Sequence, residues 1–118
     1  AYQDFIEEYP LSNYREDSEN RIGELRLGLA KKIHEAGQLY MVLREWNAAI
    51  ITFEEIIESY YDTRILNDTY LDIASCYSKL SQREEMIQVL DKINVDALST
   101  KNILTYNKLL KLSMEWPE

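Results

Sequence analysis

Residues 33–56 read IHEAGQLYMVLREWNAAIITFEEI, and residues 70–93 read YLDIASCYSKLSQREEMIQVLDKI. A shift of 37 residues lays the first stretch on the second: Ile33 falls on Tyr70, Ala36 on Ile73, Gly37 on Ala74, Tyr40 on Tyr77, Phe53 on Leu90 and Ile56 on Ile93. Each copy carries a large residue, then a small residue and an aromatic at helical spacing, then a bulky pair on a following segment. Self-similarity at a period of this size marks supersecondary units that stack on one another.

Outward from these copies, apolar spacing divides the chain into helices. Ile22, Leu25, Leu29, Ile33, Ala36, Tyr40 and Leu43 recur at three- and four-residue steps, which predicts one long helix over about 18–43 with these residues on one face. Gly23, Gly28 and Gly37 lie inside that pattern, where each costs about 1 kcal/mol against alanine, so each marks a close backbone approach or a bend. Ala49, Ile50, Phe53, Ile56, Ile57 and Tyr60 form a second stripe that ends at Asp62–Thr63; Ile65, Leu66, Tyr70, Ile73, Ala74, Tyr77 and Leu80 form a third. Ser81 and Glu84 make a capping-box pattern, which predicts a fourth helix starting at Ser81, carrying Met86, Ile87, Val89, Leu90 and Ile93 and stopping near Asn94–Asp96. Ser99 is suited to cap a fifth helix, which bears Ile103, Leu104, Tyr106, Leu109, Leu110 and Leu112, with Lys108 and Lys111 near the end where the helix dipole favours cations. Residues 1–17, with Pro10, Asp4, Glu7, Glu8, Glu16, Asp17 and the rings of Tyr2, Phe5, Tyr9 and Tyr14, read as an irregular arm.

Composition agrees. The 118 residues suffice for one domain, and 46% hydrophobic with 29% charged residues supply a core and a wet surface. Three glycines and two prolines are too few to punctuate an all-β chain, leaving an all-α class. A net charge of −8 opposes binding to a phosphate backbone, so nucleic acid is not an expected partner. No apolar run approaches the ~18 residues of a spanning helix. The single cysteine, Cys76, excludes an intramolecular disulfide and a multi-cysteine zinc site.

The small residues Gly37 and Ala74, the aromatics Tyr40 and Tyr77 after them, and Ala49 on the second helix resemble the tetratricopeptide (TPR) pattern. Met86 stands where the second copy would repeat that alanine, Tyr61 stands where a proline usually ends the first, and the period is three residues longer than the usual ~34. The extra length implies an extended turn around Tyr61–Leu66. This reading gives antiparallel helix pairs in an α-solenoid: an arm over 1–17, then one domain over 18–118 with repeat one at about 30–63, repeat two at about 67–98 and a closing helix at about 99–114. Within TPR proteins, Trp46-Asn47-Ala48-Ala49-Ile50, Glu58-Ser59-Tyr60-Tyr61 and Tyr70-Leu71-Asp72-Ile73-Ala74-Ser75-Cys76-Tyr77 resemble the first two repeats of the BamD family of outer-membrane lipoproteins. The resemblance covers about residues 30–95, while full-size family members carry about five repeats. It implies a scaffold at the periplasmic face of the outer membrane, lipid-anchored through a residue upstream of Ala1, that works with BamA on outer-membrane protein substrates. The same repeat pattern is compatible with a cytoplasmic TPR adaptor that binds a peptide or protein partner.

In the TPR pattern the first helix of each pair lines a groove. The groove positions map to Lys31, His34, Gln38 and Met41 in repeat one and to Asp68, Leu71, Ser75 and Ser78 in repeat two. These residues either hold a peptide through a few anchors or simply fill a solvated helix face. Carboxylate-clamp TPR modules use lysines and asparagines there; His34, Gln38, Asp68 and Asp72 stand at or beside those positions, and the two aspartates would repel a peptide C-terminus. Trp46 fits a position where TPR helices pack an aromatic, whereas Trp116 near the terminus is a candidate partner anchor. Glu54, Glu55, Glu58, Asp62, Asp68 and Asp72 gather into an acidic patch, either a docking surface or a solvated one. His34 is the single histidine, with no cysteine nearby and no metal-ligand spacing, and there is no glycine-rich phosphate loop, so neither an enzyme nor a cofactor is expected. Cys76, between Ala74 and Tyr77, reads as an inert buried thiol.

Overall fold

The computed structural model describes the backbone from Leu11 to Trp116 and the side chains from Asn20 onward. The described residues form helices α1 (Leu11–Val42), α2 (Trp46–Ser59), α3 (Leu66–Lys79), α4 (Arg83–Asp91) and α5 (Thr100–Met114), with a 3-10 turn at Val95–Ala97 before the last. Consecutive helices pack on each other, and α5 also packs on α3, the arrangement of an all-α, TPR-like solenoid. The molecule is elongated, with extents of 65 × 28 × 21 Å.

The 37-residue period is a period of the backbone as well. After α1, Arg44 takes φ 61°, and after α3, Ser81 takes φ 59°. Arg44 N–H donates to Met41 O (3.0 Å) and Glu45 N–H to Tyr40 O (2.9 Å); in the second copy Ser81 N–H donates to Ser78 O (3.2 Å) and Gln82 N–H to Tyr77 O (2.9 Å). Both turns are Schellman motifs, in which the left-handed residue lets two backbone donors satisfy carbonyls that the helix end would otherwise leave unpaired. Glu45 and Gln82 then occupy the N-caps of α2 and α4, where neither side chain accepts a capping hydrogen bond. Two identical reversals at the same spacing lead each first helix into its antiparallel partner.

Two apolar clusters fill the solenoid. The first joins Ala30 of α1, Ala49, Ile50, Phe53 and Ile56 of α2, and Ile65, Ile73 and Cys76 at α3, with Trp46 packed against it. The second joins Leu71 and Ala74 of α3 to Met86, Leu90, Ile93, Leu98 and Leu109. Helix α3 therefore buries two faces, and Tyr77 and Val89 pack against both clusters. Thr69, fully buried on α3, is satisfied by donating from Oγ1 to Ile65 O at 2.8 Å. A Cβ built on Gly37 would collide with the fully buried ring of Phe53, lying 2.7 Å from its Cδ1, so glycine here lets α1 and α2 approach closely. The turn between the repeats, residues 60–65, is longer than the three-residue turns within them, as the extended period requires.

Several expectations are corrected. Residues 11–17 are helical rather than part of an irregular arm; Leu11 follows Pro10 directly, and proline is compatible with the start of a helix, where its missing N–H is not required. Residues 1–10 lie outside the described residues. Ser81 does not cap the fourth helix: its left-handed conformation ends α3, and Gln82 takes the cap. Ser99 does cap the fifth, its Oγ accepting from Asn102 N–H at 3.3 Å. Of the apolar stripe expected on α1, only Ile33 turns inward, packing with Ala30 and Gly37 toward α2; the rest is exposed, with Leu25 at 66% and Tyr40 at 39%. The equivalent face of α3, with Ile73, lies on α2; among the described residues no helix precedes α1 to cover its own. Gly23 and Gly28 belong to the open side, where an added Cβ meets nothing within 4 Å, so neither marks a close approach.

Candidate interaction surface

The polar side chains at the first helices of the pairs are largely engaged with one another. His34 Nε2 lies 2.6 Å from Asp72 Oδ2, tying α1 to α3, and its ring tilts at 48° over Phe53 with centroids 5.4 Å apart. Asn102 Nδ2 donates to Asp68 Oδ1 at 2.6 Å, tying α5 to α3, and Asn94 N–H donates to Asn67 Oδ1 at 2.9 Å. Ser78 Oγ donates to Ser75 O at 2.6 Å. On the opposite end of the first pair, Arg26 grips Asp62 through Nε (3.1 Å) and Nη2 (2.8 Å), donates to Ser59 O, and stacks 5.2 Å from the centre of the Tyr60 ring. The hydrogen bonds from Arg26 hold the Asp62 carboxyl below its ordinary range.

The anticipated groove residues are thereby sorted. Lys31 and Gln38 are exposed on α1; His34 is half-buried in its pair with Asp72; Met41 is half-buried against the first cluster. Asp68 is engaged by Asn102. Leu71 is 2% exposed in the second cluster, so it supports the core and offers nothing to a groove. Ser75 and Ser78 line an open cleft between α3 and α5. Trp116 packs partly buried against the second cluster, so its ring already has an internal surface. The acidic patch divides: Asp62, Asp68 and Asp72 have internal partners, while Glu54 and Glu58 border a shallow pocket with Tyr70, Tyr77 and Lys92.

Cys76 is fully buried, and burial, reinforced by the Asp72 charge, pushes its thiol up to about 12. The thiolate that a nucleophile or metal ligand needs does not form at neutral pH. Among the described residues no group of three or more His, Cys, Asp or Glu is placed to hold a metal ion, and no helix is long and apolar enough to cross a membrane.

The cleft between α3 and α5 has a volume of about 530 Å³ and an apolar floor that includes Leu109 and Leu112. Lys79 stands on the α3 wall, Lys108 and Lys111 on the α5 wall, and Glu115 at one end. Sequence reasoning placed Lys108 and Lys111 at a helix end without seeing the cleft. Their i, i+3 spacing was a visible signal, but the opposing Lys79 is brought in only by the packing of α5 on α3.

Helix pairs reversed by matching turns and closed by a fifth helix define a helical-repeat, TPR-like protein. The chain belongs to the YfiO family of outer membrane lipoproteins, whose family model matches residues 1–91. Neither a curated protein nor a solved structure matches it.

Proposed function

We propose that this protein is a non-enzymatic scaffold of the outer-membrane β-barrel assembly machinery, working with a BamA-like protein during insertion of outer-membrane proteins. The observation that carries the reading is the family match over residues 1–91, read together with the TPR-like fold. On this reading the protein acts at the periplasmic face of the outer membrane, held by a lipid anchor upstream of Ala1. It is organised as one TPR-like unit that includes the whole of α1, with repeats at about 30–63 and 67–98 and a closing helix at about 99–114. A scaffold needs rigid spacing between helix pairs and an accessible surface, and the His34–Asp72 and Asp68–Asn102 ties supply the first. For the second, Lys31 and Gln38 on α1 and Ser75 and Ser78 on α3 are the accessible members of the groove, and the half-buried Trp116 is a further candidate anchor. No cofactor enters this function.

The test is an affinity pull-down of the full-length precursor from detergent-solubilised native membranes, with bound proteins identified by mass spectrometry. Recovery of a BamA-like protein is expected. Release of the protein in the soluble fraction with only soluble partners would overturn the reading in favour of a cytoplasmic TPR adaptor.

A further inference from the structure

On a chain of net charge −8, the cleft between α3 and α5 gathers Lys79, Lys108 and Lys111 against one carboxylate, Glu115. None of the three lysines makes an ion pair among the described residues, in contrast to Asp68 and Asp72 of α3, which are engaged internally. The floor between the ammonium groups is apolar, with Leu112 38% exposed. An isolated solvated lysine row needs no such floor, and a bare anion would leave it uncovered. A ligand that carries carboxylates and apolar side chains on one strand satisfies both features.

We propose that this cleft is the docking site for an acidic, amphipathic segment of a partner protein, laid between α3 and α5. Its carboxylates meet Lys79 on one wall and Lys108 and Lys111 on the other, and its apolar side chains cover Leu109 and Leu112. The acidic surface of the rest of the chain disfavours an anionic bilayer as occupant, because bringing a flat charged surface up to this recessed cleft would bring it up to that surface as well. The inference rests on the scaffold reading but is independent of which partner supplies the segment.

The experiment uses the full chain and a fluorescein-labelled peptide of alternating glutamate and leucine, with binding read by fluorescence anisotropy at low and at physiological salt. Saturable binding is expected, weakened as salt rises because exposed charge pairs are screened. The Lys108→Glu/Lys111→Glu double variant should weaken it about tenfold or more, since reversing two contacts turns attraction into repulsion. A charge-matched control, Lys32→Glu/Arg64→Glu, changes exposed residues away from the cleft and should leave affinity within about twofold. Circular dichroism verifies that both variants fold. Absence of saturable binding, equal binding of the peptide with glutamine in place of glutamate, or equal loss in the control would overturn the proposal. A pull-down that recovers the BamA-like protein while the peptide fails would sink this docking site and leave the scaffold reading standing; the reverse result would do the opposite.

Discussion

Replacing each of the three glycines of α1 by alanine should give results of opposite sign. At Gly23 and Gly28 the added methyl meets nothing within 4 Å, so only helix propensity acts, and each substitution should raise stability by about 0.5–1 kcal/mol. At Gly37 the same propensity gain applies, but the methyl runs into Phe53, with Cδ1 and Cζ each 2.7 Å away and Cε1 nearer still. That ring is fully buried and has the His34 ring tilted over it at 5.4 Å, so it cannot yield without displacing the contact between α1 and α2. Overpacking of this kind costs about 1–3 kcal/mol, so Gly37→Ala should lie about 1–3 kcal/mol below Gly28→Ala. Urea denaturation followed by far-ultraviolet circular dichroism measures the difference, which in a domain of this size corresponds to about 3–5 °C in melting temperature per kcal/mol. Trimming the ring, as in Gly37→Ala/Phe53→Leu, should recover part of the clash term as a favourable coupling energy. If Gly37→Ala stabilises the protein as much as Gly28→Ala does, the close packing of α1 on α2 is wrong.

Arg44→Gly and Ser81→Gly should each stabilise by about 0.5–1 kcal/mol in the same assay, because both residues hold the left-handed conformation that costs a side chain and suits glycine; a loss at either site would contradict the Schellman geometry. Tyr77→Ala should cost about 2–4 kcal/mol, since the ring packs against both clusters, while Tyr40→Ala, 39% exposed, should cost less than about 1 kcal/mol; equal losses would refute the assigned burial. Cys76 should resist iodoacetamide in the native protein and react once urea unfolds it, and rapid native labelling would overturn its assignment as inert. Its raised pKa also fixes the sign of an alkaline effect. The unfolded thiol ionises from about 9 while the folded one holds its proton to about 12, so stability should fall as pH rises through that window; in Cys76→Ala this contribution is removed.

The repeat was legible in the sequence because both copies place a small residue, an aromatic and a bulky pair at the same offsets, and packing of the two pairs demands the same residues twice. The Schellman turns were not legible: helices usually mark this position with glycine, and neither Arg44 nor Ser81 advertises a positive φ. The capping-box pattern at Ser81 and Glu84 was misleading for the same reason, since the backbone at Ser81 was already committed to ending α3. Periodicity also chose the wrong face of α1. That helix carries two apolar stripes roughly a third of a turn apart, and which one is buried depends on the neighbouring helix, to which a periodic pattern is blind. The cleft lysines lay beyond sequence reasoning because Lys79 and Lys108 meet only through tertiary packing.

Apolar burial is non-directional, so two helix pairs joined by a six-residue turn could slide on one another with little loss of buried area. Hydrogen bonds are directional, and α3 carries one to each neighbouring unit: Asp72 to α1, Asp68 to α5 and Asn67 to the segment after α4. These three ties fix the register that the apolar clusters leave loose, which explains why acidic residues sit on the inner side of a chain already carrying excess negative charge. The same arrangement decides what remains for a partner. Carboxylates committed within the fold cannot also recognise a ligand, whereas Lys79, Lys108 and Lys111 make no ion pair among the described residues. In this protein, then, Asp72 and Asp68 help to hold the solenoid in register, while the lysines of the α3–α5 cleft keep their charge available for the docking proposed above.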